Sequence, residues 1–246
     1  MKMRIALLVI ALMASFPAAA QTVEEIVSKA LEARGGVERI KALQSQRLTG
    51  RISFGPCNEG PLLVEMKRPG KMRDQVTVDG KTWTRTTDGR SGWVMGGGDD
   101  PRPMSAEELR NTAGSADFEG PLVDYAAKGN KIELIGKDKV EGKDAYKLKV
   151  TLKDGQVRYD YIDAVSYLEL KWEGSILYQG KELGVETVFR DYRKVDGLMF
   201  SFLLDSFTPE TSTKQQIVLE KVETNPPEDD ARFGRLAPPP AGAKQP

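Results

Sequence analysis

The side chains of this sequence that could do acid–base chemistry are carboxylates, and several stand directly before a glycine. Asp79, Asp88, Asp154 and Asp196 each precede a glycine, a turn position where aspartate is favoured because its side chain bonds the nearby backbone. The sequence contains no histidine, the commonest general base and metal ligand and the usual partner of a serine or cysteine nucleophile. We therefore predict no catalytic residues and no enzyme activity.

Two other stretches could bind a metal ion or act as a nucleophile. Asp99 and Asp100 follow the glycines at 96–98, but the spacing of an EF-hand calcium loop is missing. These glycines also lack the strand, lysine and helix that surround a phosphate-binding loop. Cys57 is the only cysteine and stands beside Pro56; without a histidine partner it is interpreted as a spare thiol or an ordinary loop residue. We predict no metal site and no cofactor.

The overall composition limits the classes of function further. The 246 residues are 39% hydrophobic and 29% charged, which is typical of a globular protein with one sizeable core. The formal net charge is zero, so the chain carries no basic excess for binding nucleic acid. The function must therefore depend on what the fold can enclose or contact.

An alternating stretch from residue 146 to residue 172 is the most informative part of the chain. Its apolar residues recur at every second position, which is typical of strands with one buried and one solvated face. Breaks at 153–155 and 163–164 divide it into three strands of an antiparallel meander. Something apolar must cover one face of this meander. The residues predicted to form that face are Tyr146, Leu148, Val150, Leu152, Val157, Tyr159, Tyr161, Leu168, Leu170 and Trp172.

Most of the remaining chain is also predicted to form strands. Alternating runs between residues 47 and 95 are separated by Asp-Gly or Pro-Gly turns, which is a strong all-β signal. A flexible loop is predicted at 96–103. The pattern favours a mainly β fold with a few helices, in which an antiparallel sheet curves over those helices.

The helices are predicted from their start signals. Thr22 with Glu25, and Ser105 with Glu108, have the spacing of capping boxes, in which each side chain satisfies a backbone group of the first turn. The first helix also has an apolar stripe at helical spacing, which indicates a face packed on the core. A further helix is predicted at 118–125, packed on the sheet.

Both ends of the chain have the composition of segments outside the folded domain. Residues 1–20 combine a basic start, an apolar run and small residues, which predicts a secretory signal peptide cleaved after Ala20. An uncleaved anchor helix is the weaker alternative, because the apolar run is too short to span a bilayer. We expect a soluble protein of the periplasm. Residues 234–246 are predicted to be a disordered Pro-rich tail, which leaves 21–233 as one domain.

A series of short motifs along the chain resembles a known family. The motifs are Lys67-Arg68-Pro69, Asp79-Gly80-Lys81, Val140-Glu141-Gly142, Lys153-Asp154-Gly155, Tyr161-Ile162-Asp163, Asp191-Tyr192-Arg193 and Val195-Asp196-Gly197-Leu198. Each motif alone is only a turn with strand edges. In the order of these motifs along one exported chain, the sequence resembles the outer-membrane lipoprotein-sorting proteins. These are the periplasmic carriers of the LolA/LolB-like superfamily.

This resemblance implies a half-open antiparallel β-barrel whose apolar concave face is covered by helices. In the carrier, that hollow shields the acyl chains of lipoproteins, and the arginine of the Lys-Arg-Pro segment latches the helical lid. The matching residue here is Arg68. Its guanidinium either donates to helix C-terminal carbonyls or extends to water at the strand end. The superfamily also includes sensor domains that bind an anti-sigma factor, and the absence of a cysteine at the mature N-terminus separates this chain from the membrane-anchored acceptors.

The sequence thus predicts a carrier or chaperone of the periplasm that binds lipoprotein acyl chains or another lipid, with a partner protein at the inner or outer membrane. The alternative is an envelope-stress sensor or protein-interaction module whose hollow is filled by its own side chains. A hydrolase would need an acid–base pair that the sequence does not supply. Each candidate ligand-binding residue could equally be ordinary core. The candidates are Leu48, Ile52, Phe54, Val64, Met66, Arg68, Trp83, Trp93, Met95, Leu148, Val150, Tyr159, Leu168 and Leu170.

Overall fold

The computed structural model describes residues 21–55 and 58–238. The predicted signal peptide at 1–20, Cys57 and the last part of the predicted tail, 239–246, lie outside the described residues. In the described ranges, no helix combines the length and the apolar character needed to cross a bilayer.

The described residues form three α-helices, thirteen strands and two short 3-10 helices. The α-helices are α1 (Val23–Ala33), α2 (Val37–Ala42) and α3 (Ala106–Ala116), and the 3-10 helices are Pro209–Thr211 and Asp230–Phe233. The strands are β1 (Ser45–Ser53), β2 (Glu59–Lys67), β3 (Lys71–Val78), β4 (Lys81–Thr87), β5 (Gly92–Gly96), β6 (Arg102–Pro103), β7 (Lys131–Val140), β8 (Lys143–Thr151), β9 (Val157–Asp163), β10 (Glu169–Tyr178), β11 (Lys181–Val195), β12 (Leu198–Thr208) and β13 (Thr213–Thr224).

All thirteen described strands belong to one antiparallel sheet that does not close. Its order is β6-β5-β4-β3-β2-β1-β13-β12-β11-β10-β9-β8-β7, so β6 and β7 are the two edges. Strands that are neighbours in sequence pair with each other, with the exception of β6 and β7. The pairing of β1 with β13 joins the two halves of the sheet. A sheet of this size curls because every strand twists. This confirms the predicted fold class, a mainly β fold built on an open antiparallel sheet with a few helices.

Helix α1 covers the half of the concave face formed by the meander. Its predicted capping box is present, with Thr22 and Glu25 each bonding the other's backbone N–H. Its buried stripe, which includes Ile26 and Ala30, packs in one cluster with Leu148 and Val150 of β8. Because Leu148 and Val150 are both fully buried, the space between α1 and β8 is filled by the protein's own side chains.

The turn after α1 requires a glycine. Gly35 has a φ of +121°, and a Cβ atom at this position would lie 2.4 Å from the carbonyl oxygen of Gly197. No other residue fits that approach without moving the backbone. The close contact places α1 and α2 directly against the hairpin between β11 and β12.

The structure corrects one local prediction and shortens another. Residues 118–125 form turns and not a helix, because Pro121 follows a glycine with φ of +80° and Asp124 has φ of +49°. Leu122 and Val123 are nevertheless buried in the core under α1. The predicted flexible loop 96–103 ends in β6, which pairs with β5.

The chain after β13 returns along the convex face of the sheet, and we call residues 226–236 the C-terminal strap. Arg232 binds the buried carboxylate of Glu65 on β2 through Nε and Nη2, with distances from 2.6 to 3.2 Å. Phe233 and Leu236 are buried, and Thr86 donates to the carbonyl of Gly234. The packed body therefore extends past residue 233, the boundary that composition predicted. Composition counts apolar area only, whereas a buried ion pair and two apolar side chains anchor this segment.

We expect the Arg232→Met variant to lower the free energy of unfolding by about 1–3 kcal/mol. The substitution keeps an apolar stem but leaves Glu65 with weaker contacts, since Arg47 and Arg73 lie 3.5 and 3.7 Å from its oxygens. Urea unfolding measures the loss.

The matched control is Arg51→Met, which breaks the exposed ion pair of Arg51 with Glu59. We expect a change of about 0–1 kcal/mol there, because water screens exposed pairs. Equal losses in the two variants would show that the strap does not stabilise the fold.

Candidate functional site

The concave face between β5 and β13 encloses a half-open cavity of about 780 Å³, which we call the apolar chamber. Strand alternation places every second side chain of these strands in the cavity. Polar groups at its wall include Asp74, Arg85 and Gln215. Its apolar lining residues are Leu48, Ile52, Phe54, Leu62, Val64, Met66, Met72, Val76, Val78, Trp83, Val94 and Ile217.

Part of the predicted site lies together in this chamber. The predicted residues that line it are Leu48, Ile52, Phe54, Val64, Met66 and Trp83. Cross-strand pairing of Leu48 with Val64 places both side chains on one face. Trp83 and Phe54 are 42% and 39% exposed, a degree of exposure expected at the rim of an open cavity. Sequence alternation within single strands therefore grouped residues that line one wall of the chamber, and their binding of a ligand stays a prediction.

Trp93 and Met95 lie on the other face of the sheet, contrary to the predicted grouping with Trp83. The register of β4 with β5 pairs Trp83 with Gly96 and Arg85 with Val94, so Val94 lines the chamber instead. Trp93 lies under the guanidinium of Arg235, 4.9 Å from its ring centroid. The error arose because the hairpin between the two strands sets their relative parity, and sequence alternation alone does not.

The predicted orientation of β9 in the meander was also wrong. Val150 pairs with Arg158, and Leu148 pairs with Asp160, so the concave face of β9 carries Arg158 and Asp160. Tyr159 lies on the convex face. Tyr159 packs there against a small cluster. Leu168 and Leu170 line a separate hollow. The cluster beside Tyr159 consists of Val140, Ala145, Tyr161 and Leu170.

Leu148 and Val150 lie on the concave face, as predicted, but neither lines a cavity. Both are enclosed by α1 and by Leu122 and Val123. They therefore form ordinary core, which is the alternative interpretation for every candidate residue. The sequence cannot distinguish a filled face from a hollow one, because both require apolar side chains at the same positions.

A second cavity of about 330 Å³, the polar chamber, adjoins the apolar chamber. The residues common to both walls are Leu48, Leu62, Val64 and Ile217. The charged lining residues are Arg34, Asp117, Arg158, Asp160 and Glu169, and the aromatic ones are Phe118, Tyr167, Trp172, Phe189, Tyr192 and Phe200. The sequence analysis proposed none of these charged and aromatic residues as part of a site. The charged residues at alternate positions of β9 could have indicated the polar chamber, but they were interpreted as the solvated face of the strand.

The centre of the polar chamber is a charged cluster of Arg158, Asp160 and Glu169. Arg158 donates from Nε to Asp160 Oδ1 at 2.5 Å and from Nη2 to Glu169 Oε1 at 2.9 Å. Its guanidinium carbon lies 5.0 Å from the ring centroid of Trp172, a cation–π distance. The Tyr192 hydroxyl donates to the backbone carbonyl of Glu169 at 2.8 Å. The cluster is therefore held by three strands.

Burial changes the acid–base properties of this cluster. It raises the pKa of Asp160, and burial together with the neighbouring Asp160 carboxylate raises the pKa of Glu169 to about 7. Burial also raises the pKa of the Tyr192 hydroxyl and lowers the pKa of Arg34. Glu169 is thus a carboxyl group that changes charge near neutral pH. Such shifts are common at functional sites, although structural ion networks also produce them.

Arg68 joins helix α2 to the end of β2. It donates from Nε to the carbonyl of Leu43 at 2.5 Å and from Nη2 to the carbonyl of Ile40 at 3.3 Å. Its Nη2 also lies 2.6 Å from Glu119 Oε1, and the guanidinium stacks on Phe118 at 5.0 Å. These carbonyls at the C-terminal end of α2 are acceptors of the kind expected from the sequence. Arg68 does not line either chamber.

Helix α3 reaches from the hairpin between β10 and β11 to β3, and its C-terminal end borders the apolar chamber. At one end Ala116 packs with Met66 and Met72, and Ser115 lines the chamber. Along the helix, the Asn111 side chain bonds both backbone groups of Leu177, at 2.7 and 3.3 Å. A small number of hydrogen bonds therefore connects α3 to the hairpin between β10 and β11, on the far side of the opening.

The start of α3 is fixed in the same way. Glu107 accepts from the backbone N–H groups of Gln179 and Gly180, at 2.7 and 3.0 Å. The predicted capping box of Ser105 and Glu108 is present. In the described part of the chain, no group of three or more acidic or cysteine side chains is placed to hold a metal ion.

No family model matches this sequence, and no curated protein matches it either. Solved structures do show the same fold. A DUF1329 family protein from Desulfovibrio piger superposes with a TM-score of 0.55 at 13% identity, covering 86% of this chain and 97% of that chain. Because the identity is so low, this similarity concerns the fold alone.

Two further structures agree with that result. A protein described as a putative outer membrane lipoprotein-sorting protein domain, from Vibrio parahaemolyticus, has a TM-score of 0.54 at 13% identity, covering 85% of this chain and 94% of that chain. A LolA superfamily protein from Nitrosomonas europaea has a TM-score of 0.54 at 15% identity, covering 87% of this chain and 98% of that chain. The chain therefore has a LolA-like fold, as the resemblance in its motifs implied.

We expect the Glu169→Gln variant to reduce the pH dependence of stability. Glu169 keeps its proton to about pH 7 in the folded protein, against an ordinary value of 4.5, so the folded state binds more protons than the unfolded state between these values. Stability conferred by the neutral carboxyl is therefore lost as the pH rises through this window. From pH 5 to pH 8 the variant should gain about 2 kcal/mol relative to the native protein.

Urea unfolding at the two pH values measures this difference. Asp160 has a raised pKa as well, and it remains in both proteins, so the comparison isolates Glu169 together with its coupling to Asp160, Arg158 and Arg34. Parallel pH profiles would contradict the raised pKa of Glu169.

Proposed function

We propose that this protein is a non-enzymatic carrier of the periplasm that holds acyl chains of lipoproteins or another lipid in the apolar chamber. The observation that carries the proposal is an apolar cavity of about 780 Å³ on the concave face of the sheet. This volume falls within the range of about 300–1,000 Å³ typical of ligand sites. The fold shared with a lipoprotein-sorting domain and a LolA superfamily protein supports the same function.

The energetics of the chamber suit acyl chains. Each methylene group that leaves water contributes about 0.8 kcal/mol, so a chain of moderate length binds without specific polar contacts. Met66 and Met72 lie at the end covered by α3, and methionine repacks easily around ligands of variable shape. The chamber therefore combines a large apolar wall with an adaptable end.

In this proposal α3 is the lid. Its attachment to the hairpin between β10 and β11 consists of the Asn111 and Glu107 hydrogen bonds, and each such bond contributes only about 0.5–1.5 kcal/mol net. Arg68 fixes α2 and residue 119 to the sheet, which keeps the segment after α3 in place while the helix moves. Cargo would pass from here to a partner protein at the membrane.

The proposed mature protein begins after a signal peptide cleaved at Ala20 and forms one binding domain. We extend the proposed domain from residue 233, where composition placed its end, to residue 236, because Phe233 and Leu236 are buried. No catalytic step is assigned. In the polar chamber, the two carboxylates with raised pKa values, Asp160 and Glu169, are bonded to Arg158.

A second candidate function is an envelope-stress sensor or protein-interaction module. The observation in its favour is the packing between α1 and β8, where the protein's own side chains fill the interior. The two functions differ in what the purified protein retains. Extraction with organic solvent followed by mass spectrometry should find lipid in the carrier, whereas the interaction module should carry none and should capture a membrane protein instead.

We expect the Ile217→Trp variant to bind a fluorescent fatty-acid probe at least about tenfold more weakly than the native protein. Ile217 lines both chambers, so an indole ring there fills space that the probe would occupy. The dissociation constant from probe fluorescence measures the effect.

The matched control is Val218→Trp. Val218 is the next residue of β13 and points to the convex face, where it is 42% exposed. We expect unchanged affinity in this variant. If Ile217→Trp binds the probe as tightly as the native protein does, the apolar chamber is not the binding site.

We expect the Asn111→Ala variant to release bound probe about 3 to 10 times faster, because two hydrogen bonds that hold α3 closed are lost. Stopped-flow transfer of the probe to lipid vesicles measures the release rate. Arg110→Ala, an exposed position on the same helix, is the control and should leave the rate unchanged. Equal rates in all three proteins would contradict the lid role of α3.

A further inference from the structure

The polar chamber has a composition that a carrier of plain hydrocarbon does not need. It continues from the apolar chamber through the shared wall residues Leu48 and Ile217, yet its centre contains three ionisable side chains. Placing charges beside an apolar ligand site is unfavourable unless they are paired or meet a polar group of the ligand. The chamber is therefore a candidate for recognising the polar end of an amphiphile.

The hydrogen bonds of the cluster leave acceptor capacity unused. Among the described residues, the carboxylates of Asp160 and Glu169 accept side-chain hydrogen bonds from one guanidinium, that of Arg158. The charge of Arg34, the other cation in this wall, acts on Glu169, but the Arg34 nitrogens donate to the backbone carbonyls of Phe118 and Glu119, at 3.3 and 2.6 Å. Glu169 therefore keeps an oxygen that can accept a hydrogen bond from a ligand.

Glu169 is the member of the cluster that a ligand can reach. Its side chain is 27% exposed, and it is part of the chamber wall, whereas Asp160 is almost fully buried. Only Oε1 of Glu169 bonds Arg158. The carboxylate therefore presents its remaining surface to the hollow that continues into the apolar chamber.

The other walls of the polar chamber are aromatic. Trp172, Phe189, Tyr192 and Phe200 line the same hollow as Glu169. Faces of aromatic rings attract cations within about 6 Å, and rings combined with a carboxylate form the common binding site for ammonium groups. Trp172 already makes such a contact with Arg158 at 5.0 Å.

We propose that the polar chamber is a head-group subsite for amphiphiles that carry an ammonium group, with the tail lying in the apolar chamber. This rests on the proposed function, since the tail needs the apolar chamber. An ammonium group donates charged hydrogen bonds to the carboxylate of Glu169. A carboxylate head group would instead meet a like charge there. A hydroxyl group could donate only one neutral hydrogen bond.

The test compares three ligands with the same ten-carbon chain, namely decylammonium, decanol and decanoate. Displacement of the fluorescent fatty-acid probe from the native protein at pH 8 gives their relative affinities. We expect decylammonium to bind at least about tenfold more tightly than decanol, because a hydrogen bond to a charged group contributes more than a neutral one. Decanoate should bind more weakly than decanol.

The variant Glu169→Gln should bind decylammonium and decanol with similar affinity, since the amide keeps the shape of the side chain without its charge. Glu173→Gln is the matched control. Glu173 lies on the same strand but bonds Lys171 and the Tyr161 hydroxyl on the convex face. This control should keep the native preference for decylammonium.

The outcomes separate the two levels of the proposal. If the native protein binds none of the three ligands, the carrier function itself fails. If it binds decanol or decanoate as tightly as decylammonium, the carrier function stands and the head-group subsite is overturned. An equal loss of the preference for decylammonium over decanol in Glu169→Gln and Glu173→Gln would overturn the subsite as well. If a variant does not fold, the ligand series on the native protein still tests the subsite.

Discussion

The concave face of a thirteen-stranded sheet presents more apolar surface than its helices can cover. Helices α1 and α3 have eleven residues each, which is about 16 Å of helix, and α2 is shorter still. Helix α1 packs on β8 of the meander and fills the interior there. Helix α3 borders the opposite half, and the apolar and polar chambers remain unfilled. The cavity thus follows from the ratio of sheet to helix and not from a special ligand-binding motif.

Charged side chains hold the elements around the hollow in place by bonding backbone carbonyls. Arg34, directly after α1, bonds the carbonyls of residues 118 and 119, and Arg68, directly after β2, bonds those of residues 40 and 43. The segment after α3 is consequently held from both sides, while α3 itself is attached at its far side by fewer bonds. This distribution of bonds makes α3 the element that can move with the least rearrangement.

The interior also shows how an apolar hollow tolerates ions. The Arg158 cluster is enclosed by aromatic side chains, and its carboxylates have raised pKa values because burial disfavours their charged forms. On the convex face, by contrast, Glu65 is buried beneath several arginines and anchors the C-terminal strap. The two networks use the same residue types. The convex network is covered by the C-terminal strap, whereas the concave one opens into a cavity.

The sequence by itself determined the local features of this protein: both capping boxes, most strands, most turns and the alternation within each strand. It also identified the wall containing Leu48, Val64 and Met66, because a single strand and its nearest partner suffice for that inference. Tertiary structure alone decided that Trp93 and Tyr159 face outward, since the parity of one strand relative to another depends on pairing register. It alone decided that Leu148 is packed core while Ile52 lines a cavity. That difference depends on which helix lies above each residue, a contact between segments far apart in the chain, which alternation along a single strand does not encode.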